Sequence, residues 1–156
     1  MRIGQGLDVH AFSDDDARVL VLGGVVLPGE RGLVGHSDAD VPTHALMDAL
    51  LGAAGLGDLG RHFPDTDPAY AGASSLVLLE AVVEKIAAAG FRATSADLTI
   101  VAEAPKLSAH MPTMAEILSE RLGAPVSVKA TTTEHLGALG RGEGIAALCV
   151  VLLEER

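Results

Sequence analysis

Gly6-Leu7-Asp8-Val9-His10-Ala11-Phe12 alternates apolar and polar residues with the period of a β-strand. In a strand, Leu7, Val9 and Ala11 point to one side, and Asp8 and His10 to the other. A carboxylate and an imidazole two residues apart on one face suit a divalent ion that takes mixed oxygen and nitrogen ligands. They equally suit a polar face turned to solvent.

Outward from this stretch, the pattern predicts a strand over residues 2–12 and a polar turn at Asp14, Asp15 and Asp16. Short apolar runs at 18–22 and 25–27 flank Gly23-Gly24 and form a hairpin that Pro28-Gly29 ends. Residues 29–40 read as a loop carrying His36-Ser37-Asp38-Ala39-Asp40. A helix starts at Asp40, tolerates Pro42 in its first turn, runs through Ala54 and stops at Gly55 or Gly57. It carries His44. Residues 57–68 are rich in Asp, Gly and Pro and lack periodicity, as connecting or functional loops do.

A second helix is capped by Ser74 or Ser75 and runs to Ala89, with Gly90 as its stop and Leu76, Leu79, Val83 and Ile86 as its core stripe. A strand follows over 96–103, with Leu98, Ile100 and Ala102 on one face. Pro105-Lys106 breaks it. A third helix spans 109–122, and Met111 and Met114 read as core. Residues 126–131 form a strand, followed by a loop with Gly137, Gly140, Gly142 and Gly144. The last strand, 145–153, is apolar on both faces, which places it centrally or in an interface. Interleaved strands and helices without strict βαβ order predict an α+β fold, a mixed β-sheet with helices packed on one face.

The 156 residues suit one domain, 1–156. Hydrophobic residues make up 49% but aromatics only 3%, without a tryptophan. The core therefore rests on Ala, Leu, Val and Ile, and oligomerisation would help to stabilise it. The one cysteine, Cys149, excludes an intrachain disulfide framework and reads as a buried thiol. No apolar run reaches the roughly 18 residues of a membrane span, and the first residues do not read as a signal peptide. A cytoplasmic protein is expected. The net charge of −10 argues against nucleic acid as a partner. An anionic ligand would need local cations, metals or backbone N–H groups to overcome that field.

Asp8, His10 and His44 are candidates for one metal site with an open position, as in catalytic zinc centres; satisfied histidines are the alternative. Thr131 to Glu134, at a strand end, can hold phosphate oxygens and a hard cation such as Mg²⁺, or can simply be a threonine-rich strand end. Lys106 offers a charge to phosphate or to water. Asp58, Asp65 and Asp67 suit polyol hydroxyls or turn caps. No phosphate-loop, dinucleotide or serine-hydrolase fingerprint occurs.

Taken in order, Gly6–Phe12, His36-Ser37-Asp38-Ala39-Asp40, Gly57-Asp58-Leu59-Gly60, Phe63-Pro64-Asp65-Thr66-Asp67-Pro68, Ala104-Pro105-Lys106, Lys129-Ala130-Thr131-Thr132-Thr133-Glu134 and Gly140-Arg141-Gly142-Glu143-Gly144 closely resemble the 2-C-methyl-D-erythritol 2,4-cyclodiphosphate synthase family of the non-mevalonate isoprenoid pathway. The blocks are weak singly and specific as a set, and they cover essentially the whole chain.

The resemblance implies a homotrimer with active sites at subunit interfaces. It implies a Zn²⁺ on Asp8, His10 and His44, and a Mg²⁺ or Mn²⁺ on Glu134 shared with the diphosphate of a CDP-linked substrate. His36 and Thr132 would be catalytic. Substrate contacts would come from Asp8, Val9, His10, His36 and Ser37. Asp58, Leu59, Gly60, Phe63, Pro64, Asp65, Thr66 and Asp67 would cover the methylerythritol. Ala102, Glu103, Ala104, Pro105, Lys106, Leu107 and Ser108 would line the cytidine pocket with Thr131, Thr132, Thr133 and Glu134. Ala138 and Arg141 complete the implied binding set. Many relatives carry aromatic residues where this chain has Leu7 and Ala138. With Arg141 and Glu143, these positions lie in the family near a trimer-axis cavity proposed to hold isoprenoid diphosphates.

The implied reaction is an intramolecular phosphoryl transfer from 4-diphosphocytidyl-2-C-methyl-D-erythritol 2-phosphate with loss of CMP. A metal-dependent nucleotide-diphosphate hydrolase and a non-catalytic isoprenoid-diphosphate binder are the rival classes.

Overall fold

The computed structural model describes residues 1–156. Strand β1 (Arg2–Ala11) is followed by the hairpin β2 (Val19–Leu22) and β3 (Val25–Arg31). Then come α1 (Val41–Ala54), the short α2 (Leu59–His62), α3 (Ser75–Ala88), β4 (Phe91–Val101), α4 (Met111–Leu122), β5 (Val126–Thr131), the short α5 (Gly137–Gly140) and β6 (Gly144–Glu155). The main sheet has the order β1-β6-β4-β5. β6 pairs antiparallel with β1 and β4, while β4 and β5 are parallel. That parallel pair needs a crossover, and α4 supplies it. The sheet is mixed and the architecture α+β, with β6 central as its two apolar faces required.

α1 lies against β1, β6 and β4, and α3 packs on it. Every α1 residue except Asp48 and Gly52 is buried, so the helix shows little amphipathic contrast. It comes unusually close to β1. A Cβ on Gly4 would stand 2.0 Å from the Ala49 carbonyl oxygen, and one on Gly6 1.9 Å from that of Ala45. The hydrogen of these glycines lets helix and strand meet backbone to backbone. Buried Asp40 joins α1 to the hairpin. Its carboxylate accepts the N–H groups of Gly23 and Gly24, each at 2.7 Å, and of Thr43 at 3.1 Å, with the Thr43 hydroxyl at 2.8 Å. Gly23 and Gly24 take φ of +56° and +76°, as a tight two-residue hairpin turn demands.

The structure corrects several expected boundaries. β3 continues through Pro28-Gly29, because a register shift between Val19 and Leu20 absorbs residues 28–30 as a bulge. β4 begins at Phe91 rather than 96 and ends at Val101. Its first half pairs with the polar end of β6, from Glu155 to Leu153, a ladder that needs no apolar alternation. The α3 core face is Leu78, Leu79, Val82 and Ile86; Leu76 and Val83 are only half-buried. Met114 is core, but Met111 is partly exposed. Cys149 is buried, and burial pushes its thiol up to about 12.

The helices leave the other sheet face open. Leu7 pairs with Leu148 and Gln5 with Val150, and strand alternation puts Ile3, Leu7, Val9, Leu148 and Val150 on that side. Ile3 is 76% exposed and Leu7 57%, so an apolar surface of several neighbouring side chains lies uncovered. No helix is long and apolar enough to cross a membrane.

Candidate active site

Because Leu7 and Val9 take the open face, Asp8 and His10 turn inward toward α1. The solvated-face reading of this pair therefore fails. The close approach at Gly6 brings His44, in the first turns of α1, onto the same spot. Asp8 Oδ2 lies 3.0 Å from His10 Nε2 and 3.0 Å from His44 Nδ1. One ligand atom from each of the three residues lies within 4.8 Å of the others. Bonds of about 2.0–2.1 Å in a tetrahedron put ligand atoms roughly 3.3 Å apart, so this set fits a zinc-type ion.

The remaining ring nitrogens are engaged in the way metal-ligating histidines require. His10 Nδ1 is held by the Val34 carbonyl, which leaves Nε2 facing Asp8. The loop can close there because residue 35 is glycine: a Cβ would stand 3.2 Å from the His10 ring. His44 Nε2 meets the hydroxyls of Ser75 at 2.9 Å and Ser37 at 3.1 Å, which leaves Nδ1 for the centre. Burial pushes the Asp8 carboxyl up, but the hydrogen bonds and charges of His10 and His44 pull harder and hold it well below the usual carboxylate range. The hydrogen bond to Asp8 raises His10 against the opposing effect of its burial.

A cleft of about 290 Å³ opens beside this trio, walled by His10, His36, Ser37, His44, Leu59, Phe63, Asp65 and Tyr70. His36 Nε2 lies 3.1 Å from the Asp67 carbonyl, and the Phe63 and Tyr70 rings stack edge-on at 5.3 Å. Asp58 accepts the Arg61 N–H and caps α2. Asp67 accepts the Ala69 N–H and caps a 3-10 turn at Pro68–Tyr70. Asp48 accepts the Leu59 N–H at 2.7 Å and ties this loop to α1.

A second cleft, about 320 Å³, is lined by Ala102, Glu103, Pro105, Lys106, Leu107, Ser108, Met111, Ala130, Thr131 and Thr132. Lys106 is its one cation. Beyond β5, Thr132 donates its hydroxyl to Glu134 Oε1 at 3.0 Å. Glu134 and His135 take φ of +52° and +64°, a left-handed conformation that costs energy outside glycine and clusters at functional sites. Glu103 holds that turn: its Oε1 accepts the N–H groups of Thr133 at 3.0 Å and His135 at 3.2 Å. The His135 backbone hydrogen bond, with those of Thr133, lowers the Glu103 carboxyl.

One chain does not bring the two clefts together. Asp8 and His10 belong to edge strand β1, with His44 on α1 packed against it, and Glu134 follows edge strand β5, with β6 and β4 between the two edges. The pairs His10↔Ile145, Val101↔Ala146 and Val101↔Thr131 put both at the same end of the sheet. Three strand spacings separate them, about 14 Å. His36 and Thr132 are parted likewise. Arg141 pairs with Glu143 at 2.6 Å, both exposed, and Ala138 lies in α5.

The sequence reading missed Gly35, Tyr70 and Leu78 in the first cleft, Met111 in the second, and the roles of Asp38 and Ser75 behind His44. Asp38 lies beside His36 and Ser37 in a stretch that carries the family resemblance, and Ser75 lies at a predicted helix start. Nothing local linked residues 37 positions apart.

An Asp-His-His group that could hold a metal ion, beside a cleft, on a sheet whose far edge ends in a threonine-rich turn, suits the class of enzymes that act on phosphate groups. The chain belongs to the YgbB family, which it matches over residues 1–154. It is 57% identical to the 2-C-methyl-D-erythritol 2,4-cyclodiphosphate synthase of Saccharophagus degradans, over 99% of this chain and 100% of that one. The synthase of Geotalea uraniireducens is 56% identical, with 100% of each chain covered. A synthase structure with CDP bound superposes with a TM-score of 0.87 at 38% identity, covering 98% of this chain and 100% of that one. A bifunctional enzyme of Campylobacter jejuni gives 0.94 at 42% identity, over 99% of this chain and 42% of that longer one.

Proposed function

We propose that the chain converts 4-diphosphocytidyl-2-C-methyl-D-erythritol 2-phosphate to 2-C-methyl-D-erythritol 2,4-cyclodiphosphate and CMP in the non-mevalonate isoprenoid pathway. It is a phosphorus–oxygen lyase. The observation that carries this reading is the convergence of Asp8, His10 and His44 beside His36 and Ser37 in a chain of this family.

In the reaction, an oxygen of the substrate's 2-phosphate bonds to the β-phosphorus while the bond from the β-phosphorus to the α-phosphate oxygen breaks, and CMP leaves. The nucleophile is already an anion, so no protein base is needed. The protein must fold the substrate so that two like-charged groups meet. Asp8, His10 and His44 would hold Zn²⁺, and Glu134 a Mg²⁺ or Mn²⁺ shared with the diphosphate. Bound there, these ions supply neutralisation of phosphate charge. His36 orients the reacting phosphates, and Thr132 donates its hydroxyl to the developing charge. Ser37 binds beside His36, and Val9 lies between the two β1 ligands. Asp58 to Gly60 and Phe63 to Asp67 hold the methylerythritol. Ala102 to Ser108, with Lys106 as the cation, and Thr131 to Glu134 hold the cytidine diphosphate end. This division answers the charge problem of an acidic chain that binds a polyanion.

The assembly is a homotrimer of 1–156 domains in the cytoplasm, with each site shared between neighbours. Two observations support it: the uncovered apolar face of Ile3, Leu7, Val9, Leu148 and Val150, and the separation of the two clefts on opposite sheet edges. Leu7, Ala138, Arg141 and Glu143 lie around a trimer axis that takes an isoprenoid diphosphate.

Purified chain, substrate and Mg²⁺ should give the cyclic diphosphate and CMP in equal amounts. Linear hydrolysis products alone would overturn the synthase reading in favour of a hydrolase. Sedimentation equilibrium should return three copies per particle, and a monomer would overturn the shared-site assembly.

A further inference from the structure

His44 is the one proposed metal ligand that comes from a helix, and its far nitrogen ends in a buried chain of hydrogen bonds. Ser75 is fully buried and His44 is 8% exposed. Ser75 Oγ lies 2.9 Å from His44 Nε2. The same hydroxyl donates to Asp38 Oδ1, while Asp38 Oδ2 accepts the Ser75 N–H at 2.9 Å. Since the hydroxyl proton goes to the carboxylate, a lone pair of Ser75 is left facing the imidazole. Nε2 must then carry its proton, and Nδ1 presents its lone pair to the centre. Ser37 Oγ is also within reach of Nε2, at 3.1 Å, but it borders the cleft and accepts the Ala39 N–H as well. It is free to turn to a ligand, whereas Ser75 is locked from both sides.

We infer that Ser75 and Asp38 are positioning residues for the metal centre: the Asp38 carboxylate, acting through the Ser75 hydroxyl, fixes the tautomer and ring orientation of His44. The inference rests on the reading of Asp8, His10 and His44 as a zinc site. The relay also explains the start of α3. Of the two expected cap residues, Ser74 holds the cap position but makes no side-chain cap hydrogen bond, and Ser75 is the first residue of the helix; Asp38, 37 residues before Ser75, accepts the Ser75 N–H in its place. The carboxylate therefore ties the helix N-terminus and the metal ligand into one rigid unit. Groups that orient a ligand in this way commonly change metal affinity 10–100-fold when removed.

The test uses the full chain stripped of metal, with zinc affinity read by competition against a fluorescent chelator. Wild type should take one zinc per chain, and His44→Ala should lose it. Ser75→Ala should weaken zinc binding roughly 10–100-fold. Asp38→Asn keeps an acceptor for the hydroxyl but drops the charge, and should weaken binding less. In zinc-loaded, ¹⁵N-labelled protein, the His44 Nε2–H should give a slowly exchanging signal in wild type and a faster one in Ser75→Ala. That signal would not move if Ser75 merely filled space. Unchanged zinc affinity and unchanged Nε2–H exchange in Ser75→Ala overturn the relay. If Ser75→Ala does not fold, unchanged affinity in Asp38→Asn overturns it. A wild-type chain that takes no zinc, with His44→Ala no different, removes the metal reading itself and the relay with it.

Discussion

The Glu103 carboxylate accepts the backbone N–H of His135 at 3.2 Å, joining the end of one parallel strand to the turn after the other. The same oxygen accepts Thr133 N–H and lies 3.3 Å from its hydroxyl, so it spans the residue between them, Glu134. Glu103→Ala should speed amide exchange at Thr133 and His135 and raise the Mg²⁺ concentration needed for turnover at least tenfold. Glu103→Gln keeps an acceptor oxygen in place and should retain most of the activity. Equal behaviour of the two variants would show that the clasp does not orient Glu134.

Gly6 sets the distance between β1 and α1. A Cβ there meets a backbone oxygen, which cannot swing aside as a side chain could. Gly6→Ala should cost about 2–4 kcal/mol of stability and push Asp8 away from His44. Urea denaturation and zinc affinity should fall together. A variant with normal stability and normal zinc binding would contradict the packing argument.

Asp40 satisfies three backbone donors and one hydroxyl from a fully buried position. Asp40→Ala leaves those donors unpaired in the interior and should cost roughly 3 kcal/mol. Asp40→Asn turns an amide toward some of them and should cost nearly as much. A loss below about 1 kcal/mol in chemical denaturation would mean that water replaces the carboxylate.

The metal-free protein should show stability limits on both sides of neutral pH. The folded Asp8 value lies below its unfolded value of about 3.9. Its contribution is present above that value and is lost as pH falls through the folded range. The folded His10 value lies above about 6.5. Its contribution is complete below that pH and is lost as pH rises through the folded value. Zinc reverses the upper limb, because binding needs neutral imidazoles. Melting curves with and without zinc should therefore diverge as pH rises from 6 to 8, and Asp8→Asn should flatten the metal-free profile.

The sequence made the central elements legible where side-chain period and special residues coincided. The strand at 2–12, the Gly23-Gly24 hairpin and the helix from Asp40 to Gly55 all follow from such signals. The first half of β4 was not legible, because Arg92, Thr94 and Ser95 are polar and a register irregularity interrupts the ladder between Ala93 and Ser95, so no apolar alternation marks the strand. The α3 core face slipped by a residue or two, because Leu76, Val77, Leu78 and Leu79 are all apolar and only packing chooses among them. Asp8 and His10 were recognisable as a pair, but only the family resemblance singled out His44 as their third member over a satisfied core histidine. The near-contact of Gly6 with the Ala45 carbonyl that delivers it is a tertiary fact. Glu103 stood among pocket-lining residues. It lines the second cleft, and its carboxylate is also engaged within the chain, on amides 30 and 32 positions away; no local pattern encodes such a link.

In the proposed trimer the two edges of the main sheet would carry different halves of the chemistry, so each subunit would lend one half to the neighbour before it and the other to the neighbour after it. Such a head-to-tail ring allows damaged chains to repair one another. His10→Ala chains and Glu134→Ala chains should each be nearly dead alone. Unfolded, mixed and refolded together, they should regain activity, because a ring of both kinds contains one junction where an intact trio meets an intact glutamate. No recovery on mixing would mean that each chain completes its own site.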